Sequence, residues 1–419
     1  MNAVGIDVSK GKSMVAVMQP LGVVAVKPFE VEHTAAALEN LGYSLKELPG
    51  ETRIIMEHTG RYYEPVAQAL HERGLFVSAV NPILINEYGN NSLRRAKTDK
   101  KDALKIAKYG LDNWADLREY TPMEAIRQQL KNASRQLDLY TKVKVALTNN
   151  LIALLDQTYP GANTFFDSPV RADGHQKWVD FIAAFWHADC VSSLNEEAFI
   201  EKYRKWCKRR GYIFSAAKAS DVYIESLGHI IVLPKNASTK SLILQAISAL
   251  NAVSTTVESF RTETQRLAQL LPEHPVVMAM YGIGNSLGPK LIAEIGDVRR
   301  FASKRALVAY AGVDPEPSQS GKRNTKSNAI SRKGVPAIRK AVFLVMGILL
   351  KKAPTDEPVY QFLDKKRSEG KPYFVYMTAA SNKFLRIYYA RVKEYLDSLE
   401  SADPAQSCLH HDSTLVNPQ

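Results

Sequence analysis

Four carboxylates in the first quarter of the chain carry the most chemical information. Asp7 ends the apolar run Val-Gly-Ile-Asp, Glu57 follows Ile-Ile-Met, and Asp99 and Asp102 stand three apart in Thr-Asp-Lys-Lys-Asp-Ala. An ionised carboxylate at the end of a buried strand is costly unless positive charge meets it. Two such strands and an i, i+3 acidic pair point to a shared site where divalent cations supply that charge, an arrangement suited to phosphoryl transfer. Magnesium prefers oxygen ligands, so a carboxylate set suits it without His or Cys. Without metal, four packed like charges would raise one another's pKa. Singly, each acid also has an ordinary explanation: Asp99 and Asp102 as a solvated helix start, Glu57 as the cap of a strand.

The elements that must hold these acids can be read from the pattern around them. Apolar runs at residues 3–8, 14–18, 23–26, 53–57 and 76–80 predict strands, and residues 63–73 have helical spacing that stops at Gly74. Three strands, then strand–helix–strand, then a helix, is the order of a ribonuclease-H-like sheet. In such a sheet the first strand sets Asp7 beside Glu57 on a neighbouring parallel strand. Thr98 can cap the last helix, which runs through Leu104, Ile106 and Ala107 to Gly110. Asp99 and Asp102 then share a face of its first turn, near the positive end of the helix dipole. Arg94, Arg95, Lys97, Lys100, Lys101, Lys105 and Lys108 surround the pair, either as phosphate contacts or as a solvated basic face.

Composition narrows the partners. The chain has 419 residues, enough for about three domains, and a net charge of +12. Such an excess favours a polyanion, and nucleic acid is the commonest. The excess is uneven: from Lys290 to Lys352 there are fourteen Lys or Arg against four acids. The three cysteines (Cys190, Cys207, Cys408) form no pair at metal-ligand spacing and no disulfide framework, which fits a reducing compartment. The N-terminus has no signal-peptide pattern, and the apolar run at residues 341–350 is shorter than the about 20 residues a bilayer needs. The expectation is a cytoplasmic, nucleoid-associated protein with no membrane partner.

The middle of the chain is helical. Ile126, Leu130, Ala133, Leu137, Tyr140, Lys144, Leu147, Leu151 and Leu154 alternate steps of four and three, and so do Ala246, Leu250, Val253, Val257, Phe260, Thr264, Leu267 and Leu271. Two such seams flanking an insert suggest an antiparallel coiled-coil arm, although either alone could belong to a globular bundle. The insert, about 156–240, holds Trp178, Trp186 and Trp206, which argues for a folded body. Beyond Pro272, residues 276–295 read as helix, tight turn at Tyr-Gly-Ile-Gly, helix. This is a helix-hairpin-helix signature in which Gly282 and Gly284 let backbone approach a phosphate. A polar loop from Asp314 to Gly334 follows, then a helix from residue 336. The expected organisation is therefore α/β plus α. It comprises a RuvC/ribonuclease-H-like domain (1–115), a helical arm with its insert (116–271), a mostly helical C-terminal domain (272–400) and a disordered tail (401–419).

These motifs together resemble a known family, the DEDD transposases of bacterial insertion sequences (the IS-one-ten family), related to the Piv-type DNA invertases. The matching residues are Gly5-Ile6-Asp7-Val8-Ser9-Lys10, Glu57-His58-Thr59-Gly60-Arg61-Tyr62-Tyr63 and Ala96-Lys97-Thr98-Asp99-Lys100-Lys101-Asp102-Ala103. In the C-terminal part they are Tyr281-Gly282-Ile283-Gly284, Ala293-Glu294-Ile295-Gly296-Asp297, Tyr310-Ala311-Gly312-Val313, Ser320-Gly321-Lys322 and Ile330-Ser331-Arg332-Lys333-Gly334. The resemblance spans both ends of the chain and skips the insert. It implies that Asp7, Glu57, Asp99 and Asp102 hold magnesium, two ions with manganese able to substitute, and that Ser320 is a nucleophile forming a covalent phosphoserine link to DNA. It further implies a homo-oligomer, a dimer that becomes a tetramer in the synaptic complex, pairing acids and serine from different subunits. A noncoding bridge RNA would choose donor and target DNA. Two departures stand out: Tyr281 where the family often has Pro, and a single Gly after Ser320 where two are common.

The residues around Ser320 are compatible with that role. A serine hydroxyl needs assistance to attack, and Lys322, Arg323 and Lys326, with Arg332 and Lys333 further on, can offset charge on a phosphorane and hold nucleic acid. Ser318, Ser327 and Ser331 are rivals in the same loop. Three other readings compete with an RNA-guided recombinase. One is an RNA-independent site-specific invertase or RuvC-type structure-specific nuclease with the same acids. Another is an actin-like or sugar-kinase ATPase, disfavoured because Ser9-Lys10-Gly11-Lys12 follows the first acid where such enzymes place Gly and Thr. The last is a nucleic-acid-binding scaffold without catalysis.

Overall fold

The computed structural model describes residues 1–58, 62–88, 98–120, 123–315, 319–320, 323–324 and 330–402. Lys97, Lys322, Lys326, the side chains of Ser320 and Arg323, and the tail from residue 403 lie outside the described residues. The chain divides into two compact units, Met1–Met123 and Glu124–Gln419.

The first unit is built on five strands, β1 (Asn2–Val8), β2 (Lys12–Gln19), β3 (Val23–Glu32), β4 (Thr52–Glu57) and β5 (Phe76–Val80), in the order β3-β2-β1-β4-β5. The first three form an antiparallel meander, whereas β1–β4 and β4–β5 are parallel. That mixed α/β connectivity is the one anticipated for a ribonuclease-H-like sheet. β3 runs well past the apolar residues that announce it. Its second half contains Pro28 and is largely exposed, which an edge strand tolerates because one side of its backbone needs no partner.

Both faces of the sheet are covered. Val4, Ile6, Ile54, Met56 and Val77 point to α1 (Ala35–Lys46) and α2 (Tyr63–His71), which bury Leu38, Leu41, Val66 and Leu70 against them. α1 has a full set of local signals: Thr34 Oγ1 accepts from Ala37 N at 3.2 Å, and Leu38, Leu41 and Leu45 recur at helical spacing. On the opposite face lie α3 (Pro82–Glu87) and α4 (Asp99–Asp112), whose Ile106 and Ala107 share a core with Ala3, Ile55 and Val80.

The second unit begins with α5 (Ala125–Thr158). Four helices follow, α6 (Lys177–Ala184), α7 (Asp189–Ser192), α8 (Glu196–Arg210) and α9 (Ala216–Glu225), before the chain returns along α10 (Ala237–Gln269). α5 and α10 run antiparallel: Leu130 shares a core with Leu267 and Leu271, and Leu151 and Leu155 share another with Ile243 and Leu250. Midway, Tyr140 stacks on Phe260 with ring centroids 5.7 Å apart. The insert packs around Phe181, Phe185, Phe199, Tyr203 and Trp206, all with almost no exposed surface, on the inner ends of the two long helices. The rest of the unit is α11 (His274–Met278), α12 (Leu287–Ile295), α13 (Lys304–Ala311), a two-stranded antiparallel sheet of β6 (Gln319–Ser320) and β7 (Arg323–Asn324), α14 (Pro336–Lys352), α15 (Pro358–Ser368) and α16 (Tyr373–Ala402). Ile292, Leu307, Val342, Val345, Leu363 and Tyr388 fill its core. Among the described residues no helix is long and apolar enough to cross a membrane.

Candidate active site

Strand register decides where the first two acids stand. β1 and β4 pair in parallel with a constant offset, up to Ile6 opposite Met56, and one further step sets Asp7 beside Glu57. Neighbouring strands lie about 4.8 Å apart, and residues opposite one another in a parallel pair face the same side. The side is fixed by their neighbours: Val4 and Ile6 belong to the α1–α2 face, and Ala3, Gly5 and Ile55 to the α4 face. Asp7 and Glu57, two residues beyond Gly5 and Ile55, therefore emerge half-buried under α4.

α4 is seated by glycine. A Cβ on Gly5 would collide with the backbone of Ala103 and Ala107, so only glycine lets the helix lie directly on β1. The stripe Ala103, Ala107 and Gly110 faces the sheet, and Asp99 continues it one turn toward the N-terminus. One helical turn of about 5.4 Å and two strand residues of about 6.6 Å carry Asp99 and Asp7 comparable distances from the Gly5–Ala103 contact. Lys12, at the start of β2 beyond the end of β1, has its pKa raised by its hydrogen bond to Glu30 at 2.6 Å and by that carboxylate's charge, and Asp99 adds to the effect. Thr98 caps the helix as anticipated, its Oγ1 accepting from Lys101 N at 3.4 Å. Asp99 and Asp102 thus sit in the first turn, where the unpaired amide groups favour negative charge. Lys100 and Lys101 occupy the same turn and are exposed.

The four acids thus lie at one end of one face of a single sheet. Their oxygen donors suit a hard divalent cation. Among the described residues, no group of three or more His, Cys, Asp or Glu side chains is drawn together closely enough to hold a metal. The carboxylate set matches a divalent ion in chemistry, while its four side chains are not gathered into one cluster.

The remaining candidates lie in the second unit. Ser320 pairs with Arg323 in the β6–β7 sheet. The segment carrying them is closed at its base, where Pro315 pairs with Ile330 and Ser331 donates to Asp314 Oδ1 at 2.7 Å. Arg332 follows, exposed and held at a φ of +55°, with Lys333 also exposed. Gly282, in the turn between α11 and α12, has a φ of +82°, and a Cβ there would press on Val345 of α14 at 3.0 Å. Gly284 faces open space. Packing accounts for the first glycine and leaves the second free for an approaching backbone. The motifs gave no hint of the aromatic and basic residues of α15 and α16 near Arg332. The signal for them is the run Lys371-Pro372-Tyr373-Phe374, aromatic rings next to a cluster of cations.

Residues 4–160 match the family model of the DEDD transposases of the IS110 group, and residues 274–361 match that of the transposase IS116/IS110/IS902 family, together more than half of the chain. Among curated proteins the chain is 24% identical over 349 residues to the pilin gene-inverting protein of Moraxella lacunata, covering 81% of this chain and 80% of that protein. It is also 24% identical over 303 residues to the mini-circle putative transposase for IS117 of Streptomyces coelicolor, covering 65% of this chain and 68% of that one. Among solved structures, Thermus thermophilus RuvC aligns with 28% of this chain and 96% of its own, at 17% identity and a TM-score of 0.21. The chain belongs to the IS110 family of transposases, enzymes that cleave and rejoin DNA.

Proposed function

We propose that this transposase is a magnesium-dependent recombinase that cuts DNA through a serine nucleophile and is directed by a noncoding RNA. The observation that supports the reading is the parallel register of β1 and β4, which continues to bring Asp7 level with Glu57, on the sheet face that packs against the helix bearing Asp99 and Asp102 in its first turn. Asp7, Glu57, Asp99 and Asp102 would hold the metal, two magnesium ions or manganese in their place. Bound there, divalent metal supplies positive charge to the attacking and leaving oxygens of a phosphodiester.

The chain's own residues do the rest. Ser320 Oγ forms a bond to phosphorus as the bond to the displaced sugar oxygen breaks. The serine gives up its proton and the departing oxygen gains one, so the exchange is reversible without an external energy source. Lys322, Arg323 and Lys326 balance charge on the phosphorane, while Lys97, Lys100, Lys101, Gly282, Gly284, Arg332 and Lys333 hold the nucleic-acid backbone. Assembly as a dimer, and as a tetramer around paired DNA, would let one subunit's acids serve another's serine. Ser331 is the rival with a specific observation behind it, the hydrogen bond to Asp314. Its backbone N–H also bonds Asp314 O at 2.9 Å, so the same pair closes the base of the loop.

The test uses the intact protein with element ends and magnesium. Asp102→Ala should abolish strand exchange while DNA binding survives, and Ser320→Ala should eliminate the covalent protein–DNA adduct. An adduct that persists in Ser320→Ala but disappears in Ser331→Ala would transfer the role to Ser331. Full exchange by Asp102→Ala would overturn the metal assignment, and sequencing RNA copurified from the native host tests guidance, which fails if no element-derived transcript is found.

A further inference from the structure

A groove of about 1100 Å3 opens between residues 313–315, residues 330–332 and helices α14, α15 and α16. Its volume exceeds the roughly 300–1,000 Å3 of an ordinary small-molecule pocket. The lining combines two chemistries. Phe343, Phe362 and Phe374 supply aromatic surface, and Arg332, Lys383 and Arg386 supply positive charge with no carboxylate among the lining residues. Phe374 is 73% exposed and its neighbour Tyr373 50%, a large apolar surface to leave in water unless something stacks on it. Lys383 Nζ lies 4.9 Å from the centre of the Phe362 ring and donates to Pro358 O at 2.8 Å. Among the described residues Arg332 and Arg386 have no ion-pair partner, and Arg332 keeps a left-handed backbone that a non-glycine residue adopts only under constraint.

We infer that this groove takes an unpaired stretch of DNA, its bases stacked on Phe374 and Phe362 and its phosphates against Arg332, Lys383 and Arg386. Exposed aromatic faces interleaved with cations match single-stranded nucleic acid, because every base has a π-face to offer once it leaves the duplex. A paired helix keeps its bases stacked on one another and cannot use the rings. The position supports the assignment: Pro315 and Ile330, which pair at the base of the Ser320 loop, both line the groove. A strand lying in it would pass the base of that loop. The inference rests on the reading of Ser320 as the nucleophile for its purpose, though not for the binding itself.

The experiment measures binding of the intact protein to a short labelled DNA strand, to the duplex of the same sequence and to the matching RNA, by fluorescence anisotropy at fixed salt. Phe374→Ala should weaken single-strand binding about 5- to 100-fold and leave duplex binding unchanged, with Phe374→Trp restoring it. Arg386→Gln should lower the slope of log affinity against log salt by about 0.7. No loss in Phe374→Ala, or an equal loss on duplex, overturns the inference. So does tighter binding of RNA than of DNA with the same sensitivity. A fall in oligomer size on sedimentation of Phe374→Ala would show that the face joins two copies of the chain instead. The adduct assay separates the two readings, since Ser320→Ala should bind single strands normally while forming no adduct.

Discussion

Replacing Gly5 by alanine sets one methyl group against the backbone of α4. The new Cβ would lie 3.0 Å from Ala107 Cα and closer still to Ala103 O and Ala107 N. Ordinary contacts need about 3.5–4.0 Å, so the helix must retreat by about 1 Å. Because the obstacle is backbone, no rotamer change can absorb it. Overpacking of this kind costs about 1–3 kcal/mol, which urea unfolding followed by circular dichroism resolves. The same retreat carries Asp99 and Asp102 away from Asp7 and Glu57, and a misplacement of about 1 Å can cost about 100-fold in rate. Gly110→Ala is the matched control. Its Cβ would press on Cδ1 and Cγ1 of the fully buried Ile55 at 2.4 and 2.6 Å, a comparable overpacking, but at the far end of α4 from the acids. Gly5→Ala should therefore remain folded at 25 °C yet lose about two orders of magnitude in metal-dependent strand cleavage, while Gly110→Ala, destabilised to a similar degree, keeps most of its cleavage activity. A Gly5→Ala protein as stable and as active as the parent would refute the claim that α4 positions the acids through its seat on β1.

Two further predictions concern the second unit. Lys144 interrupts the apolar seam of α5, and burial lowers its pKa, with Glu258 opposing and Arg261 reinforcing the shift. The folded chain thus binds its proton less readily than the unfolded one, so its contribution to stability is full above the ordinary lysine value of 10.5 and is lost as pH falls through the lowered value. Lys144→Met should stabilise the protein at neutral pH by about 0.5–2 kcal/mol and remove that part of the pH dependence, both read from urea midpoints. At the other end of α5, Arg127 Nη2 donates to Glu273 Oε2 at 3.0 Å, and their side chains are 4% and 1% exposed. Arg127→Met should cost about 3–5 kcal/mol by leaving Glu273 charged and buried, and the double variant Arg127→Met/Glu273→Leu should recover most of it. A double variant no better than the single one would show that packing, not the stranded charge, sets the cost.

The candidate acids stand out in the sequence because a carboxylate is out of place at the end of an apolar strand, and the Thr98 cap was legible because capping is a local interaction. The register that sets Asp7 beside Glu57 is equally local in origin, since both acids occupy the last or next-to-last position of their strands. Elements governed by less conspicuous signals were harder to read. The second half of β3 was hidden by Pro28 and by its exposure, which remove the alternation that marks a strand. α1 lies between strands in a stretch without chemistry-bearing residues, and only the Thr34 cap and the Leu38, Leu41, Leu45 spacing announce it. The expected seam of α10 keeps Leu250, Val257, Thr264 and Leu267 inside, but the buried stripe also runs through Ile243, Ile247 and Ser254. Close to the insert the stripe turns to meet aromatic rings rather than α5 alone, a tertiary demand no periodicity can announce. The groove of α14, α15 and α16 was not legible for the same reason: its rings and cations come from separate stretches between Arg332 and Arg386 and meet only after folding.

The insert leaves and re-enters the long helix pair at one point. Val232 and Leu233 both donate their backbone N–H to Gln157 O, at 3.1 and 3.0 Å, just where α5 ends and before α10 begins. A short bridge from Gln157 to Asn236 could therefore replace the whole module without altering the path of either helix. Its removal would strand Leu151, Leu155, Ile243 and Ile247 in water. A minimal version of the chain consequently needs polar residues at those four places, and a relative lacking the module should carry them already.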